Sequence, residues 1–131
     1  MKQTGYAFSK TVPMDFDAAV EKVTEELKKE GFGILTEIDV KETLKKKLDV
    51  DFRPYVILGA CNPPYAYKAL QAEEQIGLML PCNVIVYVNE AGETVVAAID
   101  PIASMQAVDN QELGEVASTI QGKLKSVIER V

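Results

Sequence analysis

The stretch Tyr55-Val-Ile-Leu-Gly-Ala-Cys61 is the longest apolar run in the chain, and proline stands on both sides of it, at Pro54 and at Pro63-Pro64. It is far too short to span a bilayer. A continuous apolar run of this length reads as an interior strand covered on much of both faces. The run ends on Cys61-Asn62-Pro63-Pro64, and a second Cys-Asn dipeptide, Pro81-Cys82-Asn83, opens the next apolar stretch. These are the only two cysteines, and each sits where an apolar run ends or begins, which points to one shared locus.

The rest of the chain arranges itself around that strand. Tyr6 to Val12 partly alternate and form a strand closed by Pro13. Asp15 stands as an N-cap before Phe16, Ala19, Val20, Val23 and Leu27 at helical spacing, with Lys28 and Lys29 in the last turn and Gly31 as a left-handed stop. Ile34, Thr36, Ile38 and Val40 alternate with Leu35, Glu37 and Asp39, as a half-buried strand does. Asp39 and Glu42 open a short helix carrying Leu44 and Leu48. Asn62 followed by Pro63 matches an N-cap and first-turn proline, starting a second short helix with Ala66, Ala69 and Leu70 inward. Asn83 to Val88 and Thr94 to Ile99 are strands joined by the hairpin-length loop Asn89–Glu93, and Asp100-Pro101 ends the second. Asp109 with Glu112 is the expected cap of a last helix whose stripe is Leu113, Val116, Ile120, Leu124, Val127 and Val131. The order β-α-β-(short α)-β-(short α)-β-β-α predicts a single domain over residues 1–131. Its architecture is a two-layer α/β (α+β) sandwich, one sheet with the two long helices on one face.

The segment between the cysteines decides whether they meet. A helix from Pro63 to about Glu74 advances roughly 17 Å, and the extended residues Ile76 to Pro81 cover about 20 Å back. The chain therefore has the reach to return, and the strands ending at Cys61 and starting at Cys82 are expected to be antiparallel. The next strand then delivers Asp100 to the same edge. Cys61, Asn62, Cys82, Asn83 and Asp100 converge there, with Glu73 and Glu74 able to overhang them.

Composition limits the chemistry. Twenty acidic against fourteen basic residues give a net charge of −6, which repels phosphate backbones and argues against nucleic-acid binding. No apolar stretch predicts a membrane span, and Met1 to Gly5 lack the apolar segment of a secretory signal. A cytoplasmic location with reduced thiols is the expectation. Histidine is absent, so the usual general base near neutral pH and the commonest metal ligand are missing. Lys41 and Lys45 to Lys47 read as a solvated helix face.

Three stretches carry a family resemblance: Gly33-Ile-Leu-Thr-Glu-Ile-Asp-Val through Leu48, Phe52-Arg-Pro-Tyr-Val-Ile-Leu-Gly-Ala-Cys-Asn-Pro-Pro64, and Ala69-Leu-Gln-Ala-Glu73 with Ile76-Gly-Leu-Met-Leu-Pro-Cys-Asn83. They resemble the prokaryotic family catalogued as domain of unknown function 302, over about Gly33 to Pro101. The resemblance implies a β-α-β(4)-α core like the TATA-binding-protein fold, with a mainly antiparallel sheet, and a homodimer. It implies no activity, and the fold name carries no DNA-binding meaning for an acidic chain.

Each candidate residue has a plainer reading beside the functional one. Cys61 and Cys82 pack well as small hydrophobes, or act as a thiol pair in ligand, metal or redox chemistry. Asn62 and Asn83 serve as capping and strand-entry residues, Pro63 as a helix-start device, Asp100 as a turn residue and Glu73 as a solvated acid, or all of them edge a ligand site. Two sulfurs with Asp100 or Glu73 are not a diagnostic zinc motif. The leading expectation is a small-ligand site, less readily a metal site, at the Cys-Asn edge. The alternatives are a thiol-dependent reductase or transferase, which needs a depressed thiol pKa, and a non-catalytic dimerisation or interaction module, which needs an exposed apolar patch.

Overall fold

Asp15 starts the first helix as its position predicts: its Oδ1 accepts from the Ala18 N–H at 2.8 Å. The computed structural model describes every residue from Met1 to Val131. A two-residue edge strand β1 (Lys2–Gln3) precedes β2 (Ala7–Val12), and helix α1 runs Phe16–Lys29. Gly31 follows at φ +88°, and the Gly31 and Phe32 amides return to the Lys28 and Leu27 carbonyls, closing the helix. β3 (Gly33–Asp39) leads into α2 (Val40–Leu48), where Asp39 caps the Glu42 amide at 2.9 Å. Then come β4 (Tyr55–Cys61), α3 (Pro63–Ala72), a 3-10 segment (Glu74–Met79), β5 (Cys82–Val88) and β6 (Thr94–Ile99). A single turn α4 (Pro101–Ser104) and the long α5 (Gln111–Arg130) finish the chain. β1, α4 and the 3-10 turn are short elements that hydrophobic periodicity does not register.

The sheet order is β1-β2-β6-β5-β4-β3, antiparallel throughout. This is the two-layer α/β sandwich expected from the element order. Phe8, Val56, Leu58, Val84, Val86 and Val96 point from the sheet into a core shared with Ala19, Val23 and Leu27 of α1 and Ile120, Leu124 and Val127 of α5. The opposite face of β4 corrects one expectation. Tyr55 and Ile57 are only half-buried there, because α1 and α5 cover a single side of the sheet.

Three local features were also not foreseen. The β3–β4 register passes from Ile34↔Ala60 to Thr36↔Gly59, so Leu35 is an extra residue in a bulge and the simple alternation breaks. The cap of α5 is Asn110, whose side chain accepts from the Glu112 amide at 3.0 Å, instead of Asp109. Glu26, on α1, is a fully buried acid: Oε1 takes Lys29 at 2.8 Å and Lys22 at 3.1 Å, and Oε2 takes Arg130 of α5 at 2.6 Å. The hydrogen bonds from Arg130 and then Lys29 outweigh burial and hold its carboxyl down to about 2.

Candidate functional site

The antiparallel pairing of β4 with β5 sets Ala60 opposite Cys82 and Gly59 opposite Asn83. Cys61 and Cys82 thus meet at one end of the sheet, and Asp100, one residue past β6, arrives at the same end. The expected convergence of the two Cys-Asn dipeptides holds at the level of the backbone. The approach is tight. A Cβ placed on Gly59 would collide with the Thr36 hydroxyl and lie 2.9 Å from Pro81 Cγ, so this position has room only for glycine.

Side chains separate what the backbone gathers. A cavity of about 260 Å³ opens between the sheet end, α3 and α5, and Cys61, Asn62 and Cys82 line it. Pro63, Glu73, Asn83 and Asp100 are not among its lining residues. Pro63 is exposed in the first turn of α3. Asn83 is exposed, and strand alternation turns it to the sheet face opposite Cys82 and Val84. Glu73 closes the C-terminal end of α3, within 3.4 Å of the Asn110 amide, which also reaches the Ala72 carbonyl at 2.7 Å. Asp100 is buried as the N-cap of α4, its Oδ1 accepting from the Ile102 amide at 3.0 Å and from Gln121 Nε2 at 3.1 Å.

Asn62 occupies the N-cap position of α3 but makes no side-chain cap bond. Its Nδ2 instead donates to the Glu30 carbonyl at 3.0 Å, tying the start of α3 to the turn after α1. The amide lies 3.3 Å from where a Cβ on Gly31 would sit. Gly31 therefore serves both its positive φ and this contact. Burial, and then the neighbouring Cys61 thiol, push the Cys82 thiol up from 9.0 to about 11. The two cysteines are free. No three or more Cys, Asp and Glu side chains gather as a metal would need.

Of seventeen lining residues fourteen are apolar and none is charged. Tyr65, Ala66, Ala69 and Leu70 belong to the helix that the sequence marks, and the inward spacing of the last three is legible there. Leu35, Phe32, Pro101 and Met105 also line the cavity and carry no such signal. Leu35 arrives through the bulge, and Pro101 and Met105 through the α4 turn.

Comparison with known proteins bears on this site only through the family. No curated protein matches the chain. A crystal structure of an uncharacterized conserved protein DUF302 from Bacillus stearothermophilus is similar over 95% of this chain and 96% of its own, with 32% identity and a TM-score of 0.88. The family model for the domain of unknown function DUF302 matches residues 8–131, so the chain belongs to that family.

Proposed function

We propose that this protein is a cytoplasmic, homodimeric binding domain that holds a small molecule in the cavity at its Cys-Asn edge. The observation that carries the reading is the placement of Cys61, Asn62 and Cys82 on the wall of one apolar cavity. Concave, mostly apolar sites with a few convergent polar groups are the common form of small-molecule sites. Pro63, Glu73, Asn83 and Asp100 then act as supports of the surrounding turns and strands. A metal at the same place has less support, since the thiols have no third acidic ligand beside them. Native mass spectrometry of untagged protein, purified without chelators, tests the reading. A retained small-molecule mass is expected, and its loss on filling the cavity with Ala69→Leu assigns it to this site. A ligand-free spectrum from fresh lysate, together with unchanged behaviour of that variant, would sink it.

A thiol-dependent reductase or transferase is the weaker reading, because Cys82 is held as the thiol and not the thiolate at neutral pH. The dimer has its own support. The outward positions of the sheet, among them Ile38, Tyr55, Ile57, Ile85, Tyr87, Val95 and Ala97, include no charged side chain on β2 to β6. A solvated outer face of an antiparallel sheet is ordinarily polar along its length. Five strands of about six residues present a face of roughly 24 by 20 Å, much of what one partner of a standard interface contributes. A second copy of this chain is the partner sure to carry an equally uncharged face, while the remaining surface, at net −6 overall, repels it. Sedimentation of Ile57→Lys should give a folded monomer. An unchanged mass would remove this face from the interface.

A further inference from the structure

The buried apolar residues form two clusters, and the cavity lies between them. Phe32, Ala60 and Ile120 of the larger cluster wall one side, and Ala69, Met105 and Ala117 of the smaller wall the other. An ionised ligand would meet no countercharge on these walls, and burying an unpaired charge is heavily penalised. The polar groups present are few and neutral. Asn62 lines the cavity, but its Nδ2 is committed to the Glu30 carbonyl and its amide packs against Gly31. Cys61 and Cys82 line the same cavity. An empty apolar cavity of about 150 Å³ accepts benzene, so about 260 Å³ has room for a larger body.

We propose that the cavity takes an uncharged, compact, mainly hydrocarbon molecule of about two fused rings or a branched chain of equal bulk. Such a molecule joins the two apolar clusters into one. This inference rests on reading the cavity as the binding site, and goes beyond it by fixing the ligand class.

The test uses the full chain and two probes of one framework, neutral 2-naphthol and anionic 2-naphthoate, followed by ¹H–¹⁵N shifts and thermal melting. Saturable shifts are expected with 2-naphthol at Cys61, Ala69, Cys82 and Ala117. At a hundred times Kd, Tm should rise by roughly 10 °C. 2-Naphthoate should bind at least about tenfold more weakly. Ala117→Leu, which fills the cavity, should abolish the 2-naphthol shifts. ¹²⁹Xe NMR of the unsubstituted protein supplies a second measure if that variant does not fold, since xenon enters dry apolar cavities. Equal or tighter binding of 2-naphthoate at the same residues overturns the ligand class and leaves the binding site standing. Xenon entry without a response to either naphthalene also overturns the class. Failure of xenon and both probes to reach these residues overturns the site itself.

Discussion

The two apolar clusters are built on different terms. The larger gathers eighteen buried residues between the sheet, α1 and α5. Alternation along the strands and the helical stripes drive it directly, and Glu26 clamps α1 to α5 across its end. The smaller has five buried residues, Ala69, Ile76, Met105, Leu113 and Ala117, drawn from α3, the 3-10 turn, the end of α4 and α5. Its polar ties are few, Asn110 to the Ala72 carbonyl, Gln121 to the Asp100 carboxylate and Asn62 to the Glu30 carbonyl, while α5 and Val116 carry its packing on into the larger cluster. Regions with few buried apolar contacts open at lower free energy than the core. The pairing of a closed core with a looser flank leaves a cavity at their boundary.

Truncation on either side should break the symmetry of that comparison. Leu124→Ala, in the larger cluster, should lower stability by about 3 kcal/mol in urea unfolding, since the packed walls cannot collapse into the gap. Ile76→Ala should cost about 2 kcal/mol, because its neighbours can settle toward the existing cavity. Hydrogen exchange sharpens the contrast: Ile76→Ala should accelerate exchange in α3 and the 3-10 segment and leave β4 and β5 untouched. Uniform acceleration across the sheet would mean that the two clusters unfold as one.

The boundary between them has its own weak point. Gly59→Ala should cost about 1–3 kcal/mol, the range for forcing extra volume into a packed site. Pairing Gly59→Ala with Thr36→Gly removes the collision with the Thr36 hydroxyl. Relief by the second change in a double-mutant cycle would place the strain where the bulge puts it, and additivity would place it at Pro81. Asn110→Ala should cost about 1 kcal/mol through the lost cap, with faster exchange confined to the start of α5 and the end of α3.

Most of the larger cluster was legible in the sequence because it is periodic. The α1 stripe, the α5 stripe and the alternating strands declare their inward faces, and the length between Cys61 and Cys82 allowed the return of the chain, although Glu74–Met79 make it as a 3-10 turn and not as the extended segment expected. The cavity was legible only in part. Cys61, Asn62 and Cys82 announced it through their paired motif, but Asn83 and Asp100 share the motif's edge and not its cavity. Strand alternation turns Asn83 away, and a one-turn helix consumes the Asp100 carboxylate. Leu35 and Met105 were hidden for the converse reason. A bulge and a single helical turn place them, and neither leaves a periodic trace. Glu26 was hidden too, since an acid in the polar spacing of a helix looks solvated until Arg130 arrives from the far end of the chain.

The same division appears in the response to pH. Glu26 belongs to the larger cluster, and its folded value of about 2 lies below the ordinary 4.5. Its contribution is present above 4.5 and lost as pH falls toward 2, so Glu26→Gln should flatten the acid limb of a stability profile. Cys82 belongs to the cavity boundary, and its folded value of about 11 lies above the ordinary 9.0. Its contribution is complete below 9 and lost as pH rises through about 11, with no effect near neutrality. The sharper readout there is reactivity. In a Cys61→Ser variant burial alone remains, and it leaves less thiolate at Cys82 than at an unperturbed cysteine at the same pH. Iodoacetamide should therefore modify Cys82 at pH 8 at least about tenfold more slowly in the folded protein than in urea. Equal rates would mean that water reaches the sulfur freely, and the wall between the two clusters would then be wet.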